Sequence, residues 1–174
     1  AGLILLALFI LLEKRVAAWF RRSSPWSQIL ALLAATSLFL IPAGLIANPF
    51  NPPPVPGEWV ENAGTMIDPY SFDNLLTSAG AFLGLGLGVI LLQKWGRFST
   101  GEPLLKLFLR FLAGIAGVLL LYAGLGAAFP DDISWLAFGL RFLRYFLVGL
   151  WISYGAPRVF VWLDLAQLKG PDPA

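Results

Sequence analysis

Leu75-Leu-Thr-Ser-Ala-Gly80-Ala-Phe-Leu-Gly84-Leu-Gly86-Leu-Gly88-Val-Ile-Leu-Leu92 contains no charged residue and sets glycine at every fourth position from 80 to 88. A run this long and apolar approaches what a helix needs to cross a ~30 Å hydrocarbon core. Small residues four apart give it a smooth face on which another helix can approach closely. Nucleotide binding is the competing reading of Gly84-Leu-Gly86-Leu-Gly88. It fails because no third glycine stands at the fingerprint spacing, no strand precedes the run, and its surroundings are lipid-like.

Four further apolar stretches flank this one: Gly2 to Leu12, Trp26 to Ile46, Leu104 to Ala128 and Ile133 to Ala156. Hydrophobic residues make up 58% of the 174 and charged residues only 13%, against about 25% charged in an average soluble domain. Mean hydropathy is +0.77. The fold class that follows is all-α, a polytopic transmembrane helix bundle of about five spans with one long outer loop. The first stretch is too short to cross as it stands and reads as the tail of a span. The chain contains no histidine and no cysteine. That removes imidazole acid–base catalysis, thiolate chemistry and most metal and haem ligation, so no catalytic residue, metal or cofactor is expected here.

The loops supply the orientation. Glu13, Lys14, Arg15, Arg21 and Arg22 follow the first stretch, and only acids (Glu58, Glu61, Asp68, Asp73) lie between the second and third. Lys94, Arg97 and Lys106, with Glu102, follow the third; Asp131 and Asp132 follow the fourth; Arg158 and Lys169 follow the fifth. Basic and acidic connections alternate, the positive-inside pattern, with the C-terminal tail cytoplasmic.

Three segments result. Residues 1–22 form the end of a truncated preceding helix plus a basic segment. Residues 23–157 form a four-helix membrane domain. Residues 158–174 read as an amphipathic cytoplasmic tail, because Pro157 is expected to end or kink the last span. Pro25 after Ser23-Ser24 suits a helix start, and Pro42 predicts a kink or early finish of the second span. The outer loop, 48–74, opens with a proline-rich run suited to extended polyproline II, then carries enough apolar side chains to lie on the membrane face. Asp68-Pro69 suits a helix start, and Ser71 or Asp73 can cap the third span. Gly114, Gly117, Gly124 and Gly126 repeat the small-residue theme in the fourth span, so close packing of the fourth span on the third is expected.

Two arginines stand out. With the last helix starting near Ile133, Arg141 and Arg144 fall ~12 and ~16 Å along it on one face, Arg144 close to the bilayer centre. A central arginine costs at least ~2.5 to 3.5 kcal/mol, so it needs a partner. Either the pair reaches outward to Asp131, Asp132, Asp68 or Asp73, or it lines a basic cavity for a phosphate or other anionic head group. Arg110, within two turns of its helix end, is placed to snorkel.

Asp68-Pro69 with Ser71, Thr77 to Gly84, and Leu140-Arg141-Phe-Leu-Arg144-Tyr145-Phe-Leu-Val-Gly149-Leu-Trp151-Ile152-Ser153 followed by Ala156-Pro157 resemble the C-terminal membrane extension of bacterial type-2 phosphatidic acid phosphatase family proteins. The family's catalytic motifs, which include a Pro-Ser-Gly-His sequence, are not present in this chain. The resemblance therefore implies a non-catalytic domain in the bacterial inner membrane. Its parent would hydrolyse a lipid phosphate or diphosphate through residues upstream of Ala1. Expected partners are the lipid bilayer and either that upstream catalytic domain or neighbouring membrane subunits, with no nucleic acid. A stand-alone assembly subunit is the second reading, and an anion or lipid transporter fragment the third.

Overall fold

Backbone N–H and C=O groups inside hydrocarbon have no water to bond, so each apolar stretch satisfies them by coiling into a helix. The computed structural model describes residues 2–65, 71–93, 97–98, 103–128 and 134–169. Expectations placed on Asp68-Pro69, Asp131, Asp132 and the tail beyond 169 lie outside the described residues.

The elements are α1 (Gly2–Arg22), α2 (Pro25–Ala47), the short α3 (Gly57–Ala63), α4 (Asp73–Gln93), α5 (Leu104–Ala128), α6 (Trp135–Leu150) and α7 (Ala156–Trp162). A π-turn, Trp151–Gly155, joins α6 to α7. Strands β1 (Arg97–Phe98) and β2 (Leu168–Lys169) form a two-residue antiparallel ladder. Four helices are long and apolar enough to cross a membrane: Pro25–Ala47, Asp73–Gln93, Leu104–Ala127 and the continuous Trp135–Trp162. The chain is a multi-pass, all-α membrane bundle. The expected fifth span, α1, is helical for 21 residues, but Glu13, Lys14 and Arg15 cut its apolar run short.

The centre of the bundle is the contact of α4 with α6, which run parallel. A Cβ at Gly80 would come within 2.6 Å of the Phe142 carbonyl oxygen, one at Gly84 would collide with the Phe146 carbonyl, and one at Gly88 with Ser153 Oγ. Gly149 answers from the other side, where a Cβ would lie 2.6 Å from the Ala81 carbonyl oxygen. Backbone therefore rests on backbone at Gly80, Gly84 and Gly149, and Gly88 receives the Ser153 side chain, the close approach that small-residue spacing allows. Ile90, 2% exposed, is the most deeply buried large side chain described.

The expectation that the α5 glycines pack on α4 is corrected. Gly114, Gly117 and Gly126 serve α6 and its continuation, which run antiparallel to α5. Gly117 takes the Trp151 indole against its bare Cα, and the Gly114 carbonyl accepts a 3.1 Å hydrogen bond from Trp151 Nε1. The π-turn sets up this contact. Its Ala156 N–H reaches back five residues to the Trp151 carbonyl, and the donor missing at Pro157 falls just after it. The widened turn absorbs the proline, so the helix runs on to Trp162 instead of ending at 157. Residues after Trp162 then turn back: Leu165 and Ala166 N–H donate to the Phe160 carbonyl at 2.8 and 3.1 Å, and Asp164 adopts φ 55. Arg110, expected to snorkel into solvent, donates from Nε to the Leu165 carbonyl at 2.6 Å. Of the segment read as an amphipathic tail, residues 158–162 thus continue the helix and the turn at 163–166 folds back and is held by Arg110 of α5.

Ser24 caps the start of α2, accepting from Ser27 N–H at 3.3 Å. Pro42 does not end that helix, which continues to an Asn48 cap in the left-handed region, a conformation asparagine tolerates. Two aromatic side chains of the outer loop pack on the bundle. Phe50 packs on Trp135 and Phe138 with ring centroids 4.7 and 5.6 Å apart, and Phe72 packs on Phe138 at 5.8 Å. These contacts gather the loop, the start of α4 and the start of α6 at one end.

Replacing Gly84 by Leu will force α4 off α6. The expected loss is ~3 kcal/mol or more, since neighbouring backbone cannot move aside as a side chain does. Gly124→Leu, where a Cβ meets nothing within 4 Å, will leave stability unchanged. Thermal unfolding of both variants in neutral detergent checks the contrast.

Candidate functional site

Helix α6 opens with Ser134, whose hydroxyl accepts from Ala137 N–H at 3.1 Å. The start is thus two residues later than the sequence suggested. Arg141 and Arg144, spaced by three, project from the first turns on one face.

Arg141 is ion-paired to Asp73, the first residue of α4, with side chains 26% and 44% exposed. This is the outward pairing with an acid that the sequence allowed. It also explains why Asp73 is held at the helix start rather than free in the loop.

Arg144 has a different environment. Its guanidinium carbon lies 5.0 Å from the Tyr122 ring centroid and 5.1 Å from that of Tyr145. The two rings meet edge to face at 6.1 Å. Nη1 sits where a Cβ at Gly126 would be only 2.8 Å away. Among the described residues no carboxylate or carbonyl binds this guanidinium, and its buried Nε has no hydrogen-bond partner. The contact with Gly126, ~3 Å of helix rise from the end of α5, also corrects the depth. The guanidinium reaches the end of the bundle where Asp73 and Phe50 lie, not the bilayer centre.

The energetics are unbalanced. Two aromatic faces offset part of the cost of an arginine at the membrane, ~0.5 to 2 kcal/mol each. A buried N–H left unmade costs ~1 to 3 kcal/mol. Arginine stays protonated under all ordinary conditions, so the site can hold an anion but cannot shuttle a proton. Among the described residues no group of three His, Cys, Asp or Glu is placed to hold a metal ion.

Sequence reasoning named both arginines and missed Tyr122 and the role of Gly126. Tyr145 stood in the sequence only within the stretch that carries the family resemblance. The usable signal was the short 129–132 connection, which makes α5 and α6 an antiparallel hairpin and sets the end of α5 against the first turns of α6.

A family model described as PAP2 superfamily phosphatase, transmembrane extension, matches residues 76–168, more than half of the chain. The chain belongs to this family. The match runs from the first turn of α4 through the folded-back segment, so it contains the α4–α6 contact, the π-turn and the Arg144 site. No curated protein and no solved structure matches the chain.

Exchanging Asp73 for Asn and Arg141 for Gln, singly and together, will give a double-mutant cycle with a coupling of ~1 kcal/mol, the scale of a partly exposed pair. Chemical or thermal unfolding in detergent reads it; additive losses would mean the pair contributes nothing.

Proposed function

We propose that this chain is the non-catalytic membrane domain of a PAP2-type lipid-phosphate or diphosphate phosphatase. In this reading it packs beside the catalytic domain of the same polypeptide and covers part of it. It would reside in a bacterial cytoplasmic membrane with its C-terminal tail in the cytoplasm, the orientation that the alternating loop charges favour. The family membership carries the reading. The sequence supports it, because phosphoryl transfer in that family runs through histidine and this chain has none.

Helix α1 gives the proposal a physical location. Its apolar side chains are exposed along its length, Leu3 by 84%. Its tie to the rest includes Gln28 Nε2 donating to the Phe20 and Ser23 carbonyls at 2.6 and 3.2 Å. Such a helix suits packing among the helices of a neighbouring domain. A stand-alone assembly subunit would use glycine faces to bind its neighbours, whereas Gly80 and Gly84 are occupied by α6 and Gly88 by Ser153 of the π-turn. A transporter would be expected to show broken helices at its midplane, whereas the four described spans are continuous.

A photo-cross-linker placed at Leu8 in membranes of the source cell tests the reading. Peptides of a PAP2 phosphatase domain in the cross-linked product support it, and products with only lipid or unrelated subunits reject it. The isolated chain in phosphatidic acid micelles is expected to release no phosphate; steady turnover would remove the non-catalytic assignment.

A further inference from the structure

We propose that Arg144, walled by Tyr122 and Tyr145, is a binding site for one phosphate group at the membrane boundary. The inference stands on the geometry of this site and not on the phosphatase reading.

Three observations converge. The guanidinium is the one intramembrane cation whose surroundings, among the described residues, hold no acid or carbonyl acceptor, and its Nε hydrogen is buried without a partner. The two outer Nη groups of this planar guanidinium fit two oxygens of a phosphate at once. Gly126 makes room for Nη1 itself at this end of α5, since a Cβ there would stand 2.8 Å from it.

Depth and access decide the class of ligand. The guanidinium sits beside the last turn of α5, at the end of the bundle where Arg141 meets Asp73. Head-group phosphates occupy that layer of a bilayer. Tyr122 is 47% exposed, so the site is open at its edge and not sealed within the bundle. Arg141 is already neutralised by Asp73, which leaves Arg144 as the charge that a phosphate satisfies. The two tyrosine rings, set edge to face with each other, flank the guanidinium, and a tyrosine hydroxyl is a further donor for a phosphate oxygen. The phosphate can belong to an anionic lipid head group or be free in solution.

The test uses the full chain in neutral detergent and native mass spectrometry. Its probes are phosphatidylglycerol, diacylglycerol as the phosphate-free control, and inorganic phosphate as competitor. One phosphatidylglycerol is expected to be retained per chain, with no retention of diacylglycerol. Arg144→Gln is expected to weaken retention by roughly tenfold or more, as loss of a charge-assisted pair does. The melting temperature of this variant without lipid should hold or rise, because an unpaired charge has been removed. Arg144→Lys keeps the charge and loses the fork, so it should retain lipid at an intermediate level; it also serves if the Gln variant does not fold. Displacement of the lipid by millimolar inorganic phosphate assigns the site to free phosphate, and failure to displace assigns it to the head group. Equal retention by wild type and both variants overturns the proposal, as does retention by none. Equal retention of diacylglycerol and phosphatidylglycerol overturns it too.

Discussion

The rest of this bundle depends on the approach of α4 to α6 without intervening side chains. Lipid tails are as apolar as leucine, so membrane helices gain little from hiding apolar surface from one another and associate through contact and polar bonds instead. Gly80, Gly84 and Gly88 allow contact at backbone distance, and Gly149 repeats the concession from α6. Because the two helices are parallel, the start of α4 lies beside the start of α6. That alone puts the Asp73 carboxylate within reach of Arg141. The aromatic contacts of Phe50 and Phe72 with α6 follow from the same alignment. Helix α5 is the return stroke that makes a parallel pair topologically accessible, and it anchors through Trp151 and Arg110.

Much of this was legible in the sequence. Helical spans follow from hydropathy because the bilayer admits few other structures. The glycine stripe was legible because spacing of four on a 3.6-residue turn keeps one face small. Its partner was not. Sequence neighbours are the default guess, which pointed to α5, whereas a parallel partner must be the next helix but one. The fate of Pro157 was hidden for a related reason. Proline usually stops a helix, but a π-turn immediately before it supplies the slack, and no residue type announces such a turn.

The two arginines show where charge reasoning holds and where it stops. A cation in an apolar run demands a partner, so pairing of Arg141 with a nearby acid could be anticipated from composition alone. Arg144 escaped that logic because its neighbours are aromatic. Tyrosine carries no formal charge and so gives no sign of pairing with a cation. Only the antiparallel register of α5 against α6 brings Tyr122 and Gly126 to it. Depth was misread for the same reason, since a guanidinium can end several ångströms from the level of its own Cα.

The π-turn also has a consequence for phase. Each residue advances an α-helix by about 100°, so the turn's extra residue rotates everything after it relative to everything before. Phe142, Phe146 and Gly149 face α4, while beyond the turn Phe160 faces Gly114 of α5. Before the turn the span already meets both neighbours, α4 through Phe142, Phe146 and Gly149 and α5 through Arg144 and Tyr145. Without the offset, the Phe160 face of α7 would continue the face directed at α4. The bulge turns that stripe of the span from one neighbour to the other.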